Sequence, residues 1–281
     1  MEKKIITRQE KKIKMVEYSD KTIYYLNNKD SDRLDDLSEF PIGSITKVFT
    51  IISLLILHQN KKINIHDKIG KYLDNKEIKN LKIIDIINHV SGLKNLWDNA
   101  SNGSSKIKFK SATEVYNHWN NGKLIDKKLK KTYSYSNIGF VVLGVLIEKV
   151  TDTKYSEFVK NNILIPLKMN NTGTGDCNIT LYDEKHKKLS KYQKWEWTFA
   201  SSAGEVKSCI SDLIKFGKFP SLLSKKTLSL LKQLYIFRKH DKSFVIRHDG
   251  VIAGGLTRYK VEFNNKWKIK DIYVSMRTFI G

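Results

Sequence analysis

The chain has 281 residues, of which 51 are lysine or arginine and 29 aspartate or glutamate, and its formal net charge is +22. This length allows a large hydrophobic core, and the two cysteines, Cys177 and Cys209, exclude a small disulfide scaffold and suit a reducing compartment. The charge suggests polyanionic partners. However, the lysines are scattered and no nucleic-acid-binding motif is found, which favours solvated surface charge and no specific nucleic-acid partner. Non-specific binding to polyanions at low salt is expected as a side effect.

The first quarter of the chain predicts a β-hairpin followed by a central helix. Residues 1–8 are charged and lack the apolar core of a signal peptide, which predicts a cytoplasmic protein. Residues 13–26 read as two short strands joined by a polar turn. Residues 44–59 are apolar on all sides, which is typical of a helix in the centre of a fold. The apolar run 48–57 is about half of the roughly 20 residues needed to cross a bilayer, so no membrane span is predicted.

The middle of the chain predicts further helices. For the first of these, the predicted helix 78–89, Ser91 and Gly92 offer a C-terminal stop. Residues 94–110 are rich in Asn, Ser and Lys and predict a surface loop. Apolar residues recur at helical spacing in the segments 78–89, 112–120, 138–150, 155–163, 212–216 and 225–235.

The C-terminal part predicts strands, because apolar and polar residues alternate after Lys239. The strands are expected at 243–247, 256–263 and 266–276, with a tight turn at Asn264 and Asn265.

Strands at both ends of the chain pair most simply in one sheet. We therefore predict an α+β fold with a five-stranded antiparallel sheet and an inserted all-helical lobe. The whole chain, 1–281, would form one domain, with a sheet lobe at about 10–40 and 240–281 and a helical lobe at about 44–235.

A Ser-x-x-Lys pattern lies at the start of the central helix. Ser44 and Lys47 are three residues apart and share one helix face. A lysine that is desolvated against that face can lose its charge and accept the serine proton, which makes the serine a nucleophile. The alternative is a serine N-cap followed by a surface lysine.

Two other stretches carry groups that can take part in catalysis. Tyr135 and Asn137 lie two apart in an extended segment, where a phenol can relay a proton and an amide can donate to a carbonyl. A packed tyrosine and a helix N-cap are the structural alternative. His248 ends a strand and is either a hydrogen-bond donor or general acid, or a structural histidine.

Together these motifs resemble the serine β-lactamase and penicillin-binding-protein superfamily, in the branch related to class C β-lactamases. The S-x-x-K motif is at 44–47, the Y-x-N motif at 135–137, and the H-x-G motif, often found in this branch in place of K-T-G, at 248–250. The stretches 84–93, 164–172 and 200–216 are similar to further segments typical of the family. Several motifs in the family's order make the resemblance specific.

The resemblance implies an acyl-enzyme mechanism on a small-molecule or peptide substrate, without metal or cofactor. Ser44 would be the nucleophile, with Lys47 and Tyr135 exchanging protons. The backbone N–H groups of Ser44 and Val251 would form the oxyanion hole. The substrate-binding residues would be Asn137, which orients the substrate amide, His248, at the position where relatives keep a cation, Gly250 and Val251.

Asp249 departs from the family pattern, in which a hydroxyl residue at this position helps to hold the substrate carboxylate. An acid here repels such an anion unless Arg247 or Arg258 neutralises it. The leading hypothesis is hydrolysis of a β-lactam or a D-amino-acid peptide amide. The alternatives are a carboxylesterase of the same fold and a non-catalytic binding protein with a basic surface.

Overall fold

The computed structural model describes residues 13–19, 22–25, 34–95, 124–181, 202–240, 243–252 and 255–279. Its strands are β1 (Ile13–Ser19), β2 (Thr22–Tyr25), β3 (Phe40–Pro41), β4 (Lys207–Ser208), β5 (Phe237–His240), β6 (Ser243–Ile252), β7 (Gly255–Asn264) and β8 (Ile269–Phe279). Six of them form one antiparallel sheet in the order β2-β1-β8-β7-β6-β5, and β3 pairs separately with β4. Strands from both ends of the chain therefore share a sheet, and the predicted α+β arrangement is confirmed.

The described helices lie mainly between β3 and β5 in the chain. They are α1 (Thr46–Gln59), α2 (Ile83–Ile87), α3 (Asn137–Thr151), α4 (Tyr155–Val159), α5 (Ile210–Phe216) and α6 (Lys225–Leu230). A π-helical segment, Lys160–Leu164, continues α4. Short 3-10 segments are Gly43–Ile45, Ile69–Lys71, Lys127–Leu129, Phe219–Leu222 and Leu231–Gln233.

Helix α1 lies at the centre of the fold, as its sequence predicts. Every residue from Thr46 to Leu57 is buried. The ring of Phe49 stacks on that of Phe216 in α5, with centroids 3.9 Å apart. Because the helix is surrounded on all sides, the position of its first turn is determined by packing, and Ser44 precedes that turn directly.

One face of the main sheet packs on α5 and the 3-10 segment after it. Tyr259 and Phe263 in β7 are fully buried, as strand alternation requires for residues on one face. The ring centroid of Tyr259 lies 5.8 Å from that of Phe216, and that of Phe263 lies 5.7 Å from that of Phe219. These contacts join the sheet to the helices in one hydrophobic core.

The sheet has one strand more than the five predicted. Helical periodicity predicts a helix over 225–235, but α6 ends at Leu230, a 3-10 turn follows, and Phe237–His240 pairs with β6. The lobe predicted as all-helical also contains β4, which pairs with β3.

Two predicted boundaries differ because backbone groups find other partners. The helix predicted over 78–89 is reduced to α2, since Lys79 O and Leu81 O accept from Gly70 N and Ile69 N. The last strand begins at Ile269, after a turn. The predicted helix 112–120 and most of the predicted loop 94–110 lie outside the described residues.

Candidate active site

Ser44 lies in a tight turn between β3 and α1. Gly43 has a φ of +50°, a left-handed conformation that favours glycine. The 3-10 segment Gly43–Ile45 then leads directly into α1. This turn places the Ser44 hydroxyl at the N-terminal end of the buried helix.

The structure brings Ser44, Lys47 and Tyr135 together around one oxygen atom. Lys47 Nζ lies 3.0 Å from Ser44 Oγ, and Tyr135 OH lies 2.7 Å from the same oxygen. The alternative of a surface lysine is wrong, because Lys47 is completely buried. Tyr135 comes from the segment before α3 and is 91 positions from Ser44, so tertiary packing creates this contact.

Three oxygen atoms surround the Lys47 amine. Besides Ser44 Oγ, Nζ contacts Asn137 Oδ1 at 2.7 Å and the Ala203 carbonyl oxygen at 2.6 Å. Burial lowers the pKa of Lys47 well below its usual value. A neutral amine can donate to the last two oxygens and accept the serine proton with its lone pair. The same three contacts also suit the ammonium that results, so the proton can move without rearrangement.

Tyr135 is held as a neutral phenol. Burial raises its pKa to about 12, although the hydrogen bond to Ser44 acts in the opposite direction. The following residue, Ser136, caps α3 by accepting from Gly139 N through its side chain. At neutral pH Tyr135 therefore has a proton to donate toward Ser44.

Asn137 begins α3 and faces Lys47. Its Oδ1 is taken by the lysine, while its Nδ2 lies 3.4 Å from Asn95 Oδ1. The amide nitrogen is thus the end of the side chain that remains for a substrate carbonyl. The N-cap itself is Ser136, so the structural alternative for Asn137 as a cap is wrong.

Gly250 brings β6 against the chain just before Ser44. A Cβ atom at Gly250 would lie 1.8 Å from the Ile42 carbonyl oxygen and 3.2 Å from Ser44 N. A Cβ atom at Gly43 would lie 3.0 Å from Val251 N. Only glycine allows this approach, which places the backbone nitrogen atoms of residues 44 and 251 in the same region.

The direction of the Val251 N–H follows from strand geometry. Arg247 N donates to Ile236 O, on the β5 side of β6, and successive N–H groups in a strand point to alternate sides. The N–H of Val251, four residues on, therefore also points away from β7. Among the described residues the pairing between β5 and β6 stops at Ile246, and beyond it the segment that carries Ser44 lies against β6.

His248 lies in the site as a neutral ring. Its Nδ1 contacts the Asp249 carbonyl oxygen at 2.8 Å and so carries the proton, and its Nε2 accepts from Tyr235 OH at 2.9 Å. Burial, with a smaller contribution from Lys47, lowers the pKa of His248 to about 4. At neutral pH His248 is therefore uncharged at the position where the resemblance places a cation in relatives.

Asp249 is paired with one of the two arginines considered for it. Arg247 Nη2 lies 3.1 Å from Asp249 Oδ2, and both side chains are partly exposed. Arg258 is the cross-strand partner of Asp249 in β7. The Arg247–Asp249 pair carries no net charge by itself, and Arg258 adds a positive charge on the neighbouring strand.

The sequence did not predict two of the contacts in the site, although Ala203 lies in the family-like stretch 200–216. The Ala203 carbonyl oxygen binds Lys47 through the backbone, which leaves no side-chain signal. Tyr235 meets His248 only because β5 and β6 lie side by side. Residues 200 and 201, at the start of the family-like stretch 200–216, lie outside the described residues.

Glu205 is a buried acid that follows the Lys47-binding carbonyl closely. Burial raises the pKa of its carboxyl group to about 8 from 4.5. The folded state therefore binds more protons than the unfolded state between these values. The stability that the protonated acid contributes is complete below about pH 4.5 and is lost as the pH rises through about 8.

We expect Glu205→Gln to remove this pH dependence. Relative to Glu205→Gln, the wild-type free energy of unfolding should fall by on the order of 4 kcal/mol between about pH 5 and about pH 9, because only the wild type has this buried carboxyl group to ionise. Urea unfolding at both pH values measures this fall. The exposed Glu157→Gln on α4 is the control and should keep the wild-type dependence. Equal slopes for both variants would contradict the assignment to Glu205.

The described residues contain no group of three or more His, Cys, Asp or Glu side chains able to hold a metal ion. Within the same part of the chain, no helix is both long enough and apolar enough to cross a bilayer.

The chain is similar to known proteins in both sequence and structure. The family described as Beta-lactamase matches residues 15–255. Penicillin-binding protein 4* of Bacillus subtilis is 31% identical over 137 residues, which are 48% of this chain and 30% of that protein. Protein flp of Staphylococcus aureus is 28% identical over 155 residues, 53% of this chain and 30% of that protein. The matches thus span under a third of these curated relatives.

Solved structures share the fold across nearly the whole chain. FmtA from Staphylococcus aureus superposes with a TM-score of 0.74 at 24% identity, covering 95% of this chain and 78% of that one. The D-amino acid amidase from Ochrobactrum anthropi SV3, complexed with L-phenylalanine amide, gives a TM-score of 0.75 at 18% identity and covers 95% and 86%. At these identities the likeness shows the fold alone.

Proposed function

Because this chain belongs to the Beta-lactamase family, we propose that it is a serine acyl hydrolase that forms an acyl-enzyme on Ser44. One observation carries the proposal: Ser44 Oγ contacts a buried amine, Lys47 Nζ, and a phenol, Tyr135 OH, at the same time. The resemblance inferred from the motifs is confirmed by the family match.

The proposed reaction begins with proton transfer from Ser44 to the neutral Lys47 amine. Ser44 Oγ attacks the substrate carbonyl carbon, and the negative charge moves to the carbonyl oxygen. The N–H groups of Ser44 and Val251 stabilise this oxyanion. The leaving group takes a proton from Tyr135. The Lys47 ammonium, which contacts the same serine oxygen as Tyr135, then returns a proton to the phenol.

Water then attacks the ester carbon of the acyl-enzyme. Lys47 and Tyr135 take the water proton and return one to Ser44 Oγ, which releases the acid product. Asn137 Nδ2 would orient the substrate amide during both steps. The chain's own side chains supply every proton transfer in this scheme.

The leading substrate class is a β-lactam or a D-amino-acid peptide amide. Solved structures with this fold include a penicillin-binding protein and a D-amino acid amidase. The matched segment is under a third of each curated relative, so the substrate class proposed for this chain rests on the site and not on those relatives.

A carboxylesterase is the second candidate, and the charges in the site favour it. His248 is neutral at pH 7, and the acid at Asp249 is only balanced by Arg247. His248, Asp249 and Arg247 together carry no net charge, so these three groups do not favour a substrate carboxylate over an uncharged group. This supports an ester as a substrate class beside an anionic amide.

Covalent labelling tests the proposed function directly. The intact mass of the protein should increase by one adduct with a fluorophosphonate or a fluorescent penicillin, and Ser44→Ala should remove the increase. Loss of labelling in Ser44→Ala with an unchanged circular dichroism spectrum supports Ser44 as the nucleophile. An unlabelled wild-type protein, beside a labelled relative, would contradict the proposal and favour a non-catalytic binding protein.

We expect Asp249→Asn to favour anionic substrates. Removing the negative charge should raise the rate of labelling by benzylpenicillin about three- to tenfold. The Asp249 carboxylate repels the carboxylate of the penicillin, and this repulsion is only partly screened in the site. Labelling by an uncharged p-nitrophenyl ester serves as the internal control and should not change. An equal effect on both reagents would show that Asp249 acts through structure and not through charge.

A further inference from the structure

We infer that His89 is a positioning residue that holds Tyr135 in place for proton exchange with Ser44. The inference rests on the proposed function and adds to it a residue that does not touch the reacting atoms. It is carried by the contacts of His89 on both sides of the tyrosine.

His89 binds the backbone on both sides of Tyr135. Ser134 N donates to the His89 carbonyl oxygen at 2.7 Å, and Ser136 N donates to His89 Nδ1 at 3.1 Å. One residue thus binds the amide N–H groups of both neighbours of the tyrosine. This arrangement restricts the direction in which the Tyr135 side chain leaves the backbone.

The His89 ring also packs on Tyr135 itself. Their ring centroids are 4.5 Å apart and the planes are tilted by 34°. Phe140, at 5.2 Å, and Tyr235, at 4.7 Å, close further sides of the imidazole. Only 1% of His89 is exposed, so the ring has little freedom to move.

The chemistry of the imidazole shows which atom matters. Nδ1 accepts from Ser136 N, so the ring proton is on Nε2, and among the described residues that nitrogen has no hydrogen-bond partner. A buried donor without a partner is unfavourable. An apolar ring would avoid this cost while packing equally well. What the histidine adds to an apolar ring is the acceptor at Nδ1.

The acceptor is preserved because the ring stays neutral. Burial is the main cause that lowers the pKa of His89 to about 3, and Lys47 and His248 lower it further in their charged forms. Protonation would place a second donor opposite the Ser136 N–H and break the contact. At the pH values at which Lys47 can act as a base, His89 therefore remains an acceptor.

The preceding residue makes the matching contacts to Tyr235. Asn88 Nδ2 donates to Gln233 O at 2.8 Å, and Asn88 Oδ1 accepts from Tyr235 N at 2.9 Å. The corner after α2 therefore ties together the two segments that carry the tyrosines of the site. His89 has a φ of +58°, which is rare for a residue with a side chain and turns the corner toward both segments.

Two substitutions at His89 distinguish the effect of its Nδ1 acceptor from the effect of its left-handed backbone conformation. Asn and Gly both tolerate a positive φ, but only Asn offers an oxygen near the position of Nδ1. We expect His89→Asn to keep kcat on a p-nitrophenyl ester within about fivefold of wild type, whereas His89→Gly lowers it about 10–100-fold with KM nearly unchanged. Ile87→Val, in the same buried helix, is the control for modest destabilisation and should retain kcat.

The outcomes separate this inference from the proposed function. If wild-type Ser44 is labelled and His89→Gly reacts at the wild-type rate, or His89→Asn is as slow as His89→Gly, the positioning role is overturned. If the wild-type protein is not labelled at all, the proposed function fails instead.

Nitrogen-15 NMR of the imidazole tests the geometry without any activity. The shifts should show the neutral ring with its proton on Nε2, and the Ser136 amide proton should exchange slowly in wild type and His89→Asn and faster in His89→Gly. A ring that carries its proton on Nδ1 would overturn the inference.

Discussion

Replacing Lys47 by Met lowers the rate of Ser44 acylation by about 10³-fold, within the range that general acid–base groups contribute. Met fills a similar volume but has no lone pair to take the serine proton. Stopped-flow labelling with a fluorophosphonate measures the rate. Lys62→Met, an exposed lysine just beyond α1, is the control and should react like wild type.

We expect the pH profile of acylation to identify Lys47 as the base. Because burial lowers the pKa of Lys47, the neutral amine is present at lower pH than for an exposed lysine. The wild-type acylation rate should rise with pH as Lys47 loses its proton and then level off. Lys47→Met should lack this rise. A variant that keeps the wild-type profile would assign the base to another group.

Substituting Gly250 by Ala has the second large effect, on both activity and stability. The new Cβ atom would lie 1.8 Å from the Ile42 carbonyl oxygen, so β6 and the turn before Ser44 must separate. Overpacking of this kind costs about 1–3 kcal/mol. Displacement of the Val251 N–H from Ser44 by about 1 Å can lower the acylation rate about 100-fold.

A second glycine provides the matched control. A Cβ atom at Gly173 would meet no atom within 4 Å, and its φ is not positive. Gly173→Ala should change the free energy of unfolding by less than about 0.5 kcal/mol and leave the rate unchanged. Urea unfolding and labelling kinetics of both variants give the comparison. Wild-type reactivity of Gly250→Ala would contradict the close approach of β6 to Ser44.

Much of the fold was open to prediction because helix and strand periods are local. The central helix, the strand pairing between the chain ends and the order of the elements follow from apolar spacing. Phe237–His240 was missed because a four-residue edge strand after a helix has too few residues to show alternation. It becomes a strand only because β6 supplies backbone partners.

Catalytic residue types were also open to prediction, but their states were not. The spacing of Ser44 and Lys47 places both on one helix face, whatever the rest of the chain does. Whether Lys47 is buried depends on α3 and the segment around Ala203, which lies 156 positions away in the chain. Burial by distant residues leaves no local pattern in the sequence. The sequence alone therefore could not exclude the alternative that Lys47 is a surface lysine.

The sequence by itself determined the helical and strand periods, the family motifs and the identity of the groups that could react. Only the tertiary structure decided that His248 is neutral, that Arg247 pairs with Asp249 and that His89 holds Tyr135 from both sides. The physical reason is that charge states and hydrogen bonds depend on burial and on distances of a few ångströms. Those distances are set when segments far apart in the chain pack together.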